Sequence, residues 1–177
     1  MALKSTIYKA NLQVADMDRH YYADHALNIA CHPSETLQRM MTRVLVFALH
    51  AHERLEFGKG ISDTDEPDIW RKDLTGEIQQ WVEVGLPDER TIRQASSRAK
   101  QVAVYAYGGR AADQWWDNIR STLSRCRNLT VLNIPQDGSR ALAQLAQRSM
   151  DLHCSIQEGQ ILMGDDTTAV PIEPVPG

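Results

Sequence analysis

The chain has 177 residues, of which 42% are hydrophobic and 24% charged, and its formal net charge is −4. This length and composition fit one globular domain with a full core, and the acidic balance argues against a protein that binds polyanions over its whole surface. A local basic face remains compatible with these numbers. We expect a single domain over residues 1–164, followed by a loosely held C-terminal tail over residues 165–177.

The cysteines and the apolar runs indicate the reducing cytoplasm. The three cysteines are far apart and show no C-x-x-C spacing, so neither a disulfide framework nor a zinc site is predicted. No apolar run approaches the roughly eighteen residues that a membrane span needs, and the first residues lack the apolar core of a signal peptide. We therefore expect a soluble cytoplasmic protein without a membrane partner.

The first thirty residues predict a long antiparallel hairpin. Apolar and polar residues alternate over residues 3–14 and again over residues 20–31, and Asp16-Met17-Asp18 provides the turn. A helix is then expected to begin near Pro33, which suits a first helical position, and to continue to about Arg54.

The rest of the chain alternates between helices and strands, which favours parallel pairing. Residues 56–66 are predicted to form a loop. Further helices are predicted over about residues 87–98, 110–124 and 139–150. Strands are predicted over residues 68–71, 78–84, 101–107 and 129–134, with a closing hairpin over 152–156 and 160–163. The pattern predicts an α/β fold with a mixed (α+β) sheet.

Two acids stand out because each is isolated in an otherwise apolar segment. Asp68 lies in Glu66-Pro67-Asp68-Ile69-Trp70, and Glu83 follows about fifteen positions later in Trp81-Val82-Glu83-Val84-Gly85. Two strands could bring these carboxylates onto one divalent cation. Paired carboxylates are costly without compensation, which a metal ion or a basic partner would supply.

The order of elements around these acids resembles the core of the PD-(D/E)XK nuclease superfamily. Pro67-Asp68 matches the first part of that motif and Glu83-Val84-Gly85 the second, except that Gly85 stands where the motif has lysine. Nearly the whole chain also resembles the YaeQ family of bacterial proteins. The matching blocks are Met1 to Ala10, His32-Pro33-Ser34-Glu35-Thr36, Asp65-Glu66-Pro67-Asp68, Trp81 to Glu89 and Trp115-Trp116.

The resemblance implies a restriction-endonuclease-like core with an N-terminal antiparallel hairpin and flanking helices. It also implies a metal-dependent nuclease-like protein acting on nucleic acid, with magnesium or manganese held by Asp68, Glu83 and the carbonyl of Val84. Glu35 matches a helical glutamate that serves as an additional ligand in many superfamily members. The alternative is a catalytically degenerate protein that keeps the fold as a nucleic-acid-binding or protein-interaction module.

Because Gly85 stands where the motif has lysine, another basic residue would have to take the role of that lysine. Some superfamily relatives supply the basic group from the next helix, and Arg93 and Lys100 are the candidates here. Lys100 is preferred as the catalytic group because an amine can shift its pKa on burial, whereas a guanidinium cannot. Arg93 is then assigned to substrate binding.

Structural roles compete with each of these functional assignments. Asp68 could be a turn carboxylate, Glu83 could form an ion pair across the strand-to-helix joint, and Glu35 could cap its helix. The basic partner would be Arg71 or Lys72 for Asp68, Arg93 or Arg98 for Glu83, and Arg39 for Glu35. Trp115-Trp116 could stack on bases, but a core position is favoured, and the six histidines are left out of the site.

Overall fold

The computed structural model describes residues 4–63 and 65–177, which form a mixed α/β structure with two mixed sheets. In chain order the elements are β1 (Thr6–Asp16), β2 (Tyr21–Cys31), α1 (Leu37–Leu49), β3 (Leu55–Phe57), a 3-10 turn (Gly60–Ser62), β4 (Ile69–Lys72), β5 (Ile78–Val84), α2 (Glu89–Arg98), β6 (Ala99–Ala106), α3 (Arg110–Ile119), β7 (Leu129–Asn133), α4 (Gln136–Ala143), β8 (Ser149–Gln157), β9 (Gln160–Gly164), β10 (Ala169–Ile172) and β11 (Val175–Pro176). The chain divides into two compact units. The first contains the residues up to Ala51 with Asp137–Glu173, and the second contains His52–Gln136 with Pro174–Gly177.

The first unit is built on a five-stranded sheet in the order β10-β9-β8-β1-β2. The predicted opening hairpin is present, with β1 and β2 antiparallel over eleven pairs, and β1 also pairs in parallel with β8. Alternation along the strands buries one face, on which Leu12 and Ile29 are fully buried, and exposes the other. The predicted closing hairpin is present as β8 and β9.

The second unit is built on a six-stranded sheet in the order β11-β7-β6-β5-β4-β3. β3, β4 and β5 are antiparallel, whereas β5, β6 and β7 are parallel, as the helix-strand alternation predicted. One face packs on α2 and α3. Trp81 and Val102 lie in a cluster with Ala95 of α2, and Val104 lies in a cluster with Ile92 and Ile119.

Helix α1 begins later than predicted. Thr36 is its N-cap, and the Thr36 hydroxyl accepts a hydrogen bond from the Arg39 N–H at 3.1 Å. The expected start at Pro33 is instead a turn, which is closed by a hydrogen bond from the Glu35 N–H to the His32 carbonyl at 2.8 Å. Glu35 therefore precedes the helix and does not occupy its third position.

Further segments differ from the sequence-based prediction because strands form where a helix, a tail and a loop were expected. The predicted helix over residues 139–150 ends at Ala143, and β8 starts at Ser149 in parallel pairing with β1. The predicted tail contains β10 and β11, since Val170 and Ile172 are buried and β11 pairs with β7. The predicted loop over residues 56–66 contains most of β3 and the 3-10 turn. Within the described ranges, no helix is long and apolar enough to cross a membrane.

Candidate metal centre

Asp68 immediately precedes β4, and Glu83 lies near the end of β5, the neighbouring strand of the second unit. β4 and β5 pair Ile69 with Val82 and Trp70 with Trp81. The pairing ends at Ile69 and Val82, so Asp68 and Glu83 are the residues next to this last pair. The two isolated acids of the sequence therefore lie at the same end of the β4–β5 ladder, with Asp68 in a bend just before β4.

Asp68 is almost fully buried, with 2% of its surface exposed. Its Oδ2 accepts a hydrogen bond from the Val84 N–H at 2.8 Å. Its Oδ1 lies against Gly60, where an added Cβ would stand 2.4 Å from that oxygen, and Gly60 has a φ of +49°. A buried carboxylate is costly without hydrogen bonds, so β5 and the 3-10 turn together fix this group in place.

Glu83 is half-buried, and its neighbour on the strand orients it. Glu83 Oε1 accepts a hydrogen bond from the Trp81 indole Nε1 at 3.0 Å. The Trp81 ring packs edge-on against Trp70, with 5.9 Å between centroids, and the Arg98 guanidinium carbon lies 4.9 Å from the centre of the Trp81 ring. The indole is therefore held on two sides, and its N–H gives the Glu83 carboxylate a fixed partner.

Gly85 follows these ligand candidates in a conformation that L-residues rarely adopt. Its φ is +115°, and its N–H donates to the Tyr105 carbonyl at 2.9 Å. Space is not the constraint, because among the described residues no heavy atom beyond its chain neighbours lies within 4 Å of where its Cβ would be. The absence of the motif's lysine thus coincides with a backbone that favours glycine.

Lys100 and Arg93 lie elsewhere in the second unit. Glu83 pairs with Val104 of β6, and Lys100 precedes Val104 on the same strand by four residues. At about 3.3 Å per residue, this offset corresponds to about 13 Å along the strand. Arg93 on α2 binds Glu89 Oε1 through Nε at 2.6 Å and the Thr122 carbonyl through Nη2 at 2.7 Å.

The basic residues considered as ion-pair partners of Asp68 and Glu83 have other orientations or contacts. Arg71 is three residues from Asp68 in an extended chain, so its side chain points to the other face, and Lys72 Nζ lies 3.8 Å from the centre of the Trp70 ring. Arg98, besides its contact with Trp81, donates to the Asp65 carbonyl at 3.0 Å. The contacts described for these basic side chains are thus with groups other than the two acids.

Glu35 lies in the first unit, and its carboxylate is bound by two arginines. Arg39 Nη1 approaches one oxygen at 2.6 Å, while Arg43 donates to both oxygens at 2.8 and 2.7 Å. Burial would raise the pKa of Glu35, but the hydrogen bonds and charges of Arg43 and Arg39 outweigh it and lower this pKa below its ordinary value. The ion pair with Arg39, one of the structural roles considered from the sequence, is present and is extended by Arg43.

The tryptophan pair lies against the core of the second unit. Trp115 and Trp116 pack against the cluster that contains Val104, with their ring centroids 6.1 Å apart. The Trp115 indole donates to the Pro87 carbonyl at 2.8 Å, which ties α3 to the segment before α2. This position agrees with the structural role favoured from the sequence.

The donor set available to a cation is small. In the part of the chain that the structure describes, no group of three or more histidine, cysteine, aspartate or glutamate side chains could hold a metal ion. A cation at the end of β5 would depend on two carboxylates, a backbone carbonyl, and ligands from solvent or substrate. Hard oxygen donors of this kind suit magnesium or manganese.

Two contacts of this centre were not predicted from the sequence. The spacing Trp-x-Glu is a local signal for the hydrogen bond from the Trp81 indole N–H to Glu83, because residues two apart on a strand share a face. The approach of Gly60 to Asp68 has no comparable local signal, since it depends on how the 3-10 turn folds back on β4.

Comparisons with known proteins agree over almost the full length. The family model described as YaeQ protein matches residues 1–174. "Uncharacterized protein YaeQ" of Salmonella typhi is 45% identical over 174 residues, covering 98% of this chain and 96% of the relative. The protein of the same description from Escherichia coli (strain K12) is 44% identical over 167 residues, covering 94% and 92%.

Solved structures give the same result. The crystal structure of YaeQ protein from Xanthomonas axonopodis pv. citri superposes with a TM-score of 0.93 at 44% identity and covers 97% of each chain. That of YaeQ protein from Pseudomonas syringae has a TM-score of 0.93 at 34% identity, covering 97% of this chain and 95% of the other. This chain therefore belongs to the YaeQ family.

Proposed function

We propose that this protein hydrolyses phosphodiester bonds of nucleic acid with the help of a magnesium or manganese ion. The ligands from the protein are the carboxylates of Asp68 and Glu83 and the carbonyl oxygen of Val84, in the manner of a restriction-endonuclease-like core. When bound, such an ion supplies charge neutralisation at the phosphate and lowers the pKa of a water that attacks it.

The observation that carries this proposal is the register between β4 and β5. Its last pair is Ile69 with Val82, so Asp68 and Glu83, the residues next to that pair, lie at the same end of the ladder. Asp68 is further tied to the N–H of Val84, the residue whose carbonyl is the third proposed ligand. The Trp81 indole orients Glu83, so both carboxylates are held before a ligand arrives.

The remaining residues of the predicted site receive different roles. Glu35 is omitted from the proposed ligands because two arginines already bind its oxygens. We assign Lys100 to substrate phosphates away from the reacting bond, because the register separates it from Glu83 by about 13 Å along the strand. Arg93 keeps its predicted role in substrate binding, from its position on α2.

The experiment combines cation binding with hydrolysis. Mn²⁺ binding is measured by electron paramagnetic resonance, and cleavage of labelled single- and double-stranded DNA and RNA is measured in the same preparations. The variants are Asp68→Asn and Glu83→Gln, with Asp117→Asn on the exposed face of α3 as the control. We expect binding and cleavage in the wild type and the control, and loss of both in the two site variants.

The outcomes separate enzyme from contaminant. Cleavage that persists unchanged in Asp68→Asn and Glu83→Gln would come from another nuclease in the preparation and would count against the proposal. Absence of Mn²⁺ binding in the wild type would remove the metal site itself.

A second candidate function is a non-catalytic module of the same fold that binds nucleic acid or another protein. It is favoured by Gly85, whose φ of +115° stands where the superfamily motif has lysine. This candidate predicts Mn²⁺ binding without hydrolysis of any nucleic acid, even at high protein concentration. Nucleic-acid binding is then recognised by an affinity that falls steeply as salt rises.

A further inference from the structure

The edge of the five-stranded sheet at β2 is long and has little of the usual protection. Natural sheet edges are kept from pairing by short length, charged side chains (lysine above all), proline or bulges, and the one carboxylate of β2 is Asp24. β10 has four residues including Pro171, β3 has three residues, and β11 has two including Pro176. β2 has eleven residues with neither proline nor lysine, and its pairing with β1 is continuous.

Two hydrogen bonds show which residues of β2 direct their backbone outward. The Lys9 N–H donates to the Arg148 carbonyl at 2.9 Å, so Lys9 points away from its β2 partner Asn28. At the far end of β2, the Ala30 carbonyl accepts from Arg43 Nη2 at 2.9 Å and therefore also points away from β1. Because the pattern alternates along an antiparallel pair, even-numbered residues face outward. They are Tyr22, Asp24, Ala26, Asn28 and Ala30.

The outward groups are accessible along the middle of the strand. The side chains of all five residues are exposed, and Tyr22 is 62% exposed. At one end of β2, Arg43 already donates a hydrogen bond to the carbonyl of Ala30. Among the described residues, the outward N–H and C=O groups of Asp24, Ala26 and Asn28 have no hydrogen-bond partner, so this segment offers an open ladder.

We infer that β2 pairs with β2 of a second copy of this chain, antiparallel and about a two-fold axis at Ala26. In this register Ala26 stands opposite itself, Asp24 opposite Asn28, and Tyr22 opposite Ala30. The side-chain amide of Asn28 can donate to the carboxylate of Asp24 at both ends of the axis. Such an interface is self-complementary, as two-fold symmetry requires.

Other registers bring like charges together or leave outward residues of β2 unpaired. An axis at Asp24 brings two like charges together, which destabilises cross-strand pairs. An axis at His25 leaves Ala30 unpaired, and an axis at Leu27 leaves Tyr22 unpaired. Only the axis at Ala26 matches all five outward residues of one copy with those of the other.

The expected strength follows from the narrow contact. The three central pairs provide about six backbone hydrogen bonds between the copies. A contact of this kind is at the small end of specific interfaces, so the dimer should dissociate on dilution. It would join the two five-stranded sheets into one continuous sheet.

The test is sedimentation equilibrium of the full chain over a wide range of concentration. The monomer has a mass of 20.0 kDa, and we expect the weight-average mass to rise toward twice that value. Asn28→Asp places a carboxylate opposite Asp24 at both ends of the axis and should weaken dimerisation about tenfold. Adding Asp24→Asn restores one acid opposite one amide and should return the dissociation constant to the wild-type value.

A matched control changes charge on the same sheet away from its β2 edge. Gln160→Glu on β9 is exposed and should leave dimerisation unchanged. Circular dichroism confirms that each variant is folded. A wild type that stays monomeric at every concentration overturns the inference. This holds even if the β2 edge binds an extended peptide of another protein instead of a second copy. An Asn28→Asp variant that dimerises like the wild type, or a double variant that does not recover, also overturns it.

Discussion

The buried carboxylate of Glu35 should be among the most consequential single groups for stability. Its side chain is 1% exposed, the Arg43 side chain is 7% exposed, and hydrogen bonds of 2.6–2.8 Å join it to Arg43 and Arg39. Glu35→Gln removes the charge and leaves Arg43 buried against an amide that offers one acceptor. Breaking a buried pair while keeping one partner costs about 3 kcal/mol or more.

The assay is urea denaturation at neutral pH, with Glu89→Gln as the matched control. Arg93 and Glu89 are also 2.6 Å apart, but their side chains are 48% and 42% exposed, so removing that pair should cost less than about 0.5 kcal/mol. The comparison holds the distance constant and changes the burial. A loss below about 1 kcal/mol for Glu35→Gln, or equal losses for the two variants, would refute this reasoning.

The lowered pKa of Glu35 also predicts how the free energy of unfolding depends on pH. The pKa of Glu35 in the folded protein lies below its ordinary value of 4.5, so in acid the unfolded chain binds the proton more readily than the folded chain. Its contribution to stability is therefore complete above about pH 4.5 and is lost as the pH falls through the folded-state pKa. The gap in unfolding free energy between wild type and Glu35→Gln should close over that range. A gap that stays constant down to the acid-unfolded state would contradict the assignment.

Three further predictions concern the candidate metal centre and the cysteines. Trp81→Phe keeps an aromatic side chain but removes the indole N–H that orients the Glu83 carboxylate, so Mn²⁺ should bind about tenfold more weakly in titrations. Gly60→Ala puts a methyl group against the Asp68 carboxylate at a positive φ, so it should reduce both Mn²⁺ affinity and the thermal midpoint, and an unchanged affinity would disprove the contact. Burial first, and then the charge of a nearby aspartate, raises the pKa of Cys154 to about 12, so iodoacetamide should label the partly exposed Cys126 first and Cys154 only on unfolding, as mass spectrometry can show.

The hairpins and the strand that carries Glu83 could be predicted from local pattern alone. Alternation with a period of two continues along β1 and β2, and the Glu158-Gly159 turn of the closing hairpin has positive φ at both residues. The strand predicted over residues 78–84 is β5 with the same bounds. These elements need no information from distant parts of the chain.

Elements whose limits depend on distant partners could not be predicted in this way. Residues near Ser149 continue an apolar pattern that also suits a helix, and only the parallel register with β1 makes them a strand. The same holds for β11, which exists because Val175 pairs with Asn133. The start of α1 is a different case, since Thr36 is a good N-cap and was available to local reasoning.

The candidate site divides along the same line. Each acid could be identified because it is isolated among apolar residues, but their position at the same end of the β4–β5 ladder depends on the register of the two strands. Lys100 is preferred from the sequence because an amine can shift its pKa on burial, whereas its distance from Glu83 is set by the parallel register between β5 and β6. In a strand-built site, residue type can be inferred locally, but the partner of each residue is fixed by registers that only the assembled sheet defines. Local pattern therefore indicates which residues are candidates, but the separation of about 13 Å along the strand between Lys100 and Glu83 follows only from the register of β5 and β6.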